Sequence, residues 1–167
     1  IICFSDKRIS KESNRKKIMK VIVAGTVAID DIKTPNDERK GLMGGSASYA
    51  AMASSFFAPT EIVGIIGKDF PNAHIETLQS RGICTEGIEK SDGDSFYWSG
   101  EYHENMDNRT THEVAVNVLE AYEPKLPKKY RDTEIVLLAN MRPRNQLDVL
   151  DQCSEKKYVI ADTMDIW

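Results

Sequence analysis

The chain has 167 residues, 41% hydrophobic and 29% charged, the profile of a globular protein rather than a disordered one, long enough to bury a core without disulfides or a structural metal. Residues 1–18 hold six Lys/Arg against Asp6 and Glu12, so the net charge of −4 leaves −8 on residues 19–167. That acidic body argues against nucleic acid as the main partner. No apolar run approaches the roughly 18 residues needed to cross a bilayer, so no membrane partner is expected. Cys3, Cys84 and Cys153 are far apart and odd in number; they read as reduced thiols of a cytoplasmic protein.

Residues 1–18 lack the apolar stretch of a secretory signal, and Met19 stands immediately before the first strand-like run. The segment is expected to be a disordered basic extension, and the fold is read over 19–167.

Val21-Ile22-Val23-Ala24-Gly25 is short, β-branched and apolar, as a strand covered on both faces should be. A second extended piece, Ile29 to Lys33, is ended by Thr34-Pro35-Asn36-Asp37. Gly44-Gly45 then opens a run of small residues, Ser46 to Phe56, whose larger members Tyr49, Met52 and Phe56 have helical spacing. Residues 61–67 read as another buried strand. Phe70 to Gly82 reads as a helix with Pro71 near its first turn and Gly82 as its stop. Strand and helix thus alternate in a parallel α/β rhythm.

The rhythm changes between about 83 and 119, where Ser91-Asp92-Gly93-Asp94 and Asn105-Met106-Asp107-Asn108 punctuate short alternating strands. Alternation puts Phe96, Trp98 and Tyr102 on one face, and Tyr97, Ser99, Glu101 and His103 on the other. This predicts a small antiparallel sheet inserted into the α/β body. Beyond Pro124 and Pro127 the parallel rhythm resumes with a strand over 134–140, a helix from about 143 to 153 and a strand over 158–162. A sheet whose last strand has no following helix is expected to be cut rather than complete.

Two places suggest a site. Asp30 and Asp31 follow the first strand at the sheet's carboxyl edge, where α/β folds bind ligands. Either is a solvated loop acid or an acceptor for a substrate hydroxyl, and neighbours on an extended chain point to opposite faces. Gly44-Gly45 is either a structural turn or a place where ligand oxygens approach backbone N–H groups at a helix start. The G-x-G-x-x-G dinucleotide fingerprint is absent. His103 and His112 lie near Glu101, Glu104 and Glu113, but no second His completes an H-E-x-x-H pair, and exposed strand positions account for the cluster without a metal. Arg142 and Arg144 flank Pro143 as a phosphate contact or a solvated helix start.

Taken in order, Gly25-x-x-x-x-Asp30, Gly44-Gly45-Ser46-Ala47-Ser48-Tyr49-Ala50-Ala51, Val63-Gly64-Ile65-Ile66-Gly67-Lys68-Asp69-Phe70 and the inserted sheet resemble the ribokinase family, the PfkB-type carbohydrate kinases. The resemblance runs from Met19 to Trp167 and implies the amino-terminal half of a ribokinase-like, Rossmann-like three-layer α/β sandwich, with residues 83–119 as a β lid. It further implies a kinase that uses Mg-ATP to phosphorylate a hydroxyl of a sugar or nucleoside. Carried onto this sequence, the substrate-binding residues are Asp30, Gly44, Gly45, Ser48, Tyr49 and Asn140; where the family usually has Asn, this chain has Tyr49. The family's Gly-Ala-Gly-Asp, which supplies the catalytic base and the anion hole, has no counterpart here, and Asp92-Gly93-Asp94 sits in a turn signal. The chain by itself is therefore expected to be inactive, with no catalytic residue of its own. The alternative is a non-catalytic module that binds a small polyol or a partner. An apolar lid face leads to the expectation of a homodimer through the lids.

Overall fold

The computed structural model describes residues 19–164; the expectation for residues 1–18 falls outside them. Two sheets carry the fold. The larger is built from β1 (Val21–Ala24), β4 (Thr60–Ile66), β5 (Cys84–Lys90), β8 (Ile135–Leu138) and β9 (Tyr158–Ala161), in the order β5-β4-β1-β8-β9. Every neighbouring pair in it is parallel. β1 is central, and its alternate residues face two separate cores. Val21 and Val23 join Ile62, Leu78, Ala47 and Ala51 on one side, while Ile22 and Ala24 join Val63, Val136, Leu138 and Val149 on the other. The first core is closed by α1 (Ser46–Ser54) and α2 (Asn72–Ser80), the second by α3 (Pro143–Gln152) and the fully buried Tyr130. Helices, sheet and helix form the three layers expected of a doubly covered parallel sheet.

The predicted helices are present with trimmed ends. Gly82, at φ 75°, takes the left-handed conformation that stops α2 just beyond Arg81, and α3 opens with Pro143 in its first turn. β9 differs from its neighbours: all four residues are exposed, with Tyr158 at 58% and Ile160 at 57%, so apolar strand chemistry lies on an open sheet edge.

The second sheet has the order β3-β2-β6-β7, from β2 (Ala28–Lys33), β3 (Glu38–Gly44), β6 (Phe96–Tyr102) and β7 (Arg109–Ala115). β2 pairs antiparallel with β3 but parallel with β6, and β6 pairs antiparallel with β7. The sheet is therefore mixed, and it is not a single insertion over 83–119. Cys84–Lys90 hydrogen-bonds to β4 and belongs to the large sheet, while half of the second sheet comes from residues 28–44. The turn at Ser91–Asp94 accordingly carries the chain from one sheet to the other instead of closing a hairpin.

That crossing is held at one joint. Asp69 Oδ1 accepts both the N–H and the hydroxyl of Ser95, at 2.8 and 2.7 Å, and Ser95 Oγ accepts the Gly67 N–H at 2.9 Å. A Cβ on Gly67 would sit 2.3 Å from the Gly93 carbonyl oxygen, so only glycine lets the two loops meet. Gly67-Lys68-Asp69 thus ties the end of β4 to the start of β6.

Candidate functional site

β1 ends at Ala24, and the chain leaves the large sheet through Gly25, Thr26 and Val27 to enter the second sheet at Ala28. Thr26 is the anchor of this exit. Its N–H and its hydroxyl both donate to the Asn140 carbonyl, at 3.1 and 2.7 Å, and its own carbonyl accepts the Ala47 N–H at 3.0 Å. The carboxyl ends of β1 and β8 and the amino end of α1 are thereby pinned together. The Ser46 hydroxyl adds a 3.4 Å bond to the same Asn140 carbonyl.

The two glycines have different reasons to be glycine. Gly45 caps α1 at φ 90°, and a Cβ there would lie 2.3 Å from the Thr26 carbonyl oxygen; only glycine adopts that turn without strain. Gly44 has an ordinary backbone, but its missing side chain makes room for Asp30, whose Cγ and Oδ2 stand 2.1 Å from where a Cβ would be. The carboxylate of Asp30 thus lies directly over the Gly44 backbone at the start of α1. No side chain caps this helix, so an acceptor at Asp30 meets backbone rather than side chain.

Burial, with a smaller push from the neighbouring Asp31 charge, raises Asp30 to about 6 from 3.8. A carboxyl group held there is ionised at neutral pH yet poorly solvated, the condition in which it gains most from accepting a hydroxyl proton donor. Asp31 points elsewhere and accepts the Gly41 N–H at 2.7 Å. It lies on the opposite face with Tyr97, Ser99 and His112, so the two acids divide between the faces as alternation demands.

Tyr49, one turn into α1, is 58% exposed. Its phenol is pushed up by burial and by the nearby Asp30 and Tyr102, which puts it beside the carboxylate. Ser48 is buried to 1% and its hydroxyl has no partner; the Asn140 side-chain oxygen is likewise buried and unpartnered. Buried unpaired polar atoms cost about 1–3 kcal/mol each; among the described residues the third such atom is the hydroxyl of Tyr122, which lines a separate cleft. Asp30, Gly44, Gly45, Tyr49 and Asn140 are brought to one corner of the fold, whereas Ser48 turns inward behind it.

Other candidates lie apart. Arg144 pairs with Asp148 one helical turn on, and Arg142 donates to the Glu120 carbonyl. Both line a cleft of about 630 Å³ with Lys125 and with Glu120, Glu123, Asp148 and Asp151, a surrounding of mixed charge that shares no residue with the Asp30 corner. His103 Nε2 meets Thr110 Oγ1 at 2.9 Å and His112 lies 3.6 Å from Glu101. Among the described residues no group of three or more His, Cys, Asp or Glu is placed to hold a metal ion. None of their helices is long and apolar enough to cross a membrane. The Asp69–Ser95 joint escapes a reading of the sequence, because its partners are 26 residues apart and only the Gly-Lys-Asp cluster hints at it.

No protein-family model matches the chain. It is 26% identical over 145 residues to the cytidine kinase of Thermococcus kodakarensis, covering 86% of this chain and 51% of that kinase. Its structure is similar to that of ribokinase from Cryptococcus neoformans, solved in complex with ADP, with a TM-score of 0.72 at 16% identity over 91% of this chain and 52% of that one. It is also similar to the nucleoside kinase of Methanocaldococcus jannaschii, an archaeal member of the ribokinase family, with a TM-score of 0.65 at 17% identity over 89% of this chain and 54% of that one. The chain therefore has the ribokinase-like α/β fold, and the resemblance read from its motifs holds. It spans about half the length of the curated relative and of the solved kinases it matches.

Proposed function

We propose that the chain is the acceptor-binding, amino-terminal part of a ribokinase-type kinase that phosphorylates a hydroxyl of a sugar or nucleoside. The observation that carries this reading is the Asp30 carboxylate resting over Gly44 at the uncapped start of α1, 2.1 Å from where any side chain at Gly44 would begin. Asp30 accepts the acceptor hydroxyl and fixes its direction, Gly44 and Gly45 let the acceptor reach the backbone, and Asn140 offers its unpartnered oxygen from the end of β8. Orientation of this kind is the main contribution a binding half can make to in-line transfer.

The residues present do not fit a Mg-ATP site. Transfer needs donors around the migrating phosphoryl group and a base beside the hydroxyl, and the sequence has no Gly-Ala-Gly-Asp element to provide them. No step through the nucleotide is assigned to this chain. Val114 on the outer strand of the second sheet and Val116 just beyond its end, each 43% exposed, support a homodimer formed through these sheets; a monomer in sedimentation at micromolar concentration would speak against that part.

The test is to titrate the chain with a panel of sugars and nucleosides while measuring ADP release. Saturable binding without turnover is expected. Acceptor-dependent ADP release from the chain alone would overturn the assignment of catalysis to other residues, and no binding by any member of the panel would overturn the acceptor site.

A further inference from the structure

The second sheet carries its aromatic side chains unevenly. On the face of Asp30, the parallel register sets Trp98 directly beside it. The indole lies flat along the strand, because Gly100 is empty beneath it: a Cβ there would meet Cζ2 and Cη2 at 2.3 Å. Tyr102 continues the row, its ring 6.4 Å from Trp98 and tilted by 58°. Tyr49, 58% exposed on α1, stands close enough to Asp30 and Tyr102 that burial and then their charges push its phenol up. The opposite face carries one ring, Tyr97, among polar groups, with Asp31 on the Gly41 N–H and Lys33 paired to Glu101 at 3.0 Å.

These rings are not core residues. Trp98, Tyr102 and Tyr49 belong to neither apolar cluster, and Tyr49 is more than half exposed. Flat, partly open aromatic faces beside a carboxylate select for a ligand with a planar face of its own. A monosaccharide carries hydroxyls around its whole edge, each wanting a partner when covered, and past Asp30 this wall offers ring faces with one cation, the Arg109 guanidinium 6.0 Å from the Trp98 ring centre. A nucleoside meets both halves of the site, with hydroxyls for the carboxylate and a base for the rings.

We propose that the acceptor is a nucleoside whose base stacks on the wall formed by Trp98, Tyr102 and Tyr49 while its sugar hydroxyl is held at Asp30; this rests on the acceptor site described above. Tyr49 is then a specificity-determining residue.

The experiment is saturation-transfer NMR on the full chain with cytidine, inosine and ribose as probes, together with their dissociation constants. The base protons should receive the strongest saturation, and both nucleosides should bind about tenfold or more tightly than ribose, the scale of base stacking on aromatic side chains. Tyr49→Ala should weaken the nucleosides about tenfold and leave ribose unchanged, while Tyr49→Phe, which keeps the ring, should restore nucleoside binding. Asp30→Ala should weaken all three. Ribose binding as tightly as cytidine, or base protons no more saturated than sugar protons, with Asp30→Ala still harmful, would overturn the base wall and leave the acceptor site standing. Indifference of all three probes to Asp30→Ala would remove the acceptor site and this inference with it.

Discussion

Asp30→Asn should make the chain more stable and its site weaker. The acid stands near 6 in the fold against 3.8 for an unperturbed carboxyl, so the folded state binds this proton more tightly than the unfolded chain does. Its contribution to stability is complete below pH 3.8 and is lost as pH rises through about 6. By linkage the loss above that range would be about 3 kcal/mol, and solvent screening of a carboxyl that is not fully buried reduces it to about 1–2 kcal/mol. The amide of the variant has no proton to lose. Urea denaturation of both proteins between about pH 4 and pH 8 should give near-equal stability at the acid end and a variant ahead by that amount at the alkaline end. The same variant should bind the acceptor at least tenfold more weakly at about pH 7.5, since charge-assisted hydrogen bonds contribute roughly 1.5–3 kcal/mol. A stability difference that stays flat across the pH range would show that Asp30 is not desolvated, and the reasoning about its strength as an acceptor would fall.

Three other outcomes are expected. Gly44→Ala should mimic the binding loss of Asp30→Asn, because a Cβ 2.1 Å from Asp30 Cγ must turn that side chain away; calorimetric titration checks it, and thermal melting should move little, since Gly44 needs no special φ. Wild-type affinity for the acceptor should rise as pH increases through about 6, following ionisation of Asp30, and the same titration run across pH reads it. Ile160→Lys, 57% exposed on β9, should reduce light scattering of concentrated samples without lowering the melting temperature, because it charges an open apolar edge and removes little core.

The central strands are legible in the sequence because parallel strands covered on both faces leave continuous apolar runs, as at Val21–Ala24 and Ile62–Ile66. Cys84–Lys90 misleads for the converse reason. As the edge of the large sheet it buries fully only Gly87, so its residues alternate like an antiparallel strand. Glu38–Gly44 is invisible, since Glu38, Arg39, Lys40 and Gly41 are all exposed and its strand character comes from pairing with β2. At the site, Asp30 and the glycine pair can be named from their motif, and alternation correctly separates Asp30 from Asp31. That Gly44 is empty to admit the Asp30 carboxylate, and Gly100 to admit the Trp98 ring, depends on packing that no local pattern encodes. The apolar Tyr158-Val159-Ile160 announces a strand that wants cover, and here the described residues leave it bare.

The most direct measurement compares the dissociation constant of the tightest-binding acceptor for the wild type, Asp30→Ala and Asp31→Ala. The two acids are adjacent in sequence and carry the same charge, but they lie on opposite faces of one strand. An acceptor site over Gly44 predicts that Asp30→Ala weakens binding tenfold or more while Asp31→Ala, which loses its bonds to the Gly41 N–H and to Tyr97 and the smaller push of its charge on Asp30, leaves it within about twofold. Equal losses from both, or a loss confined to Asp31→Ala, would contradict the account.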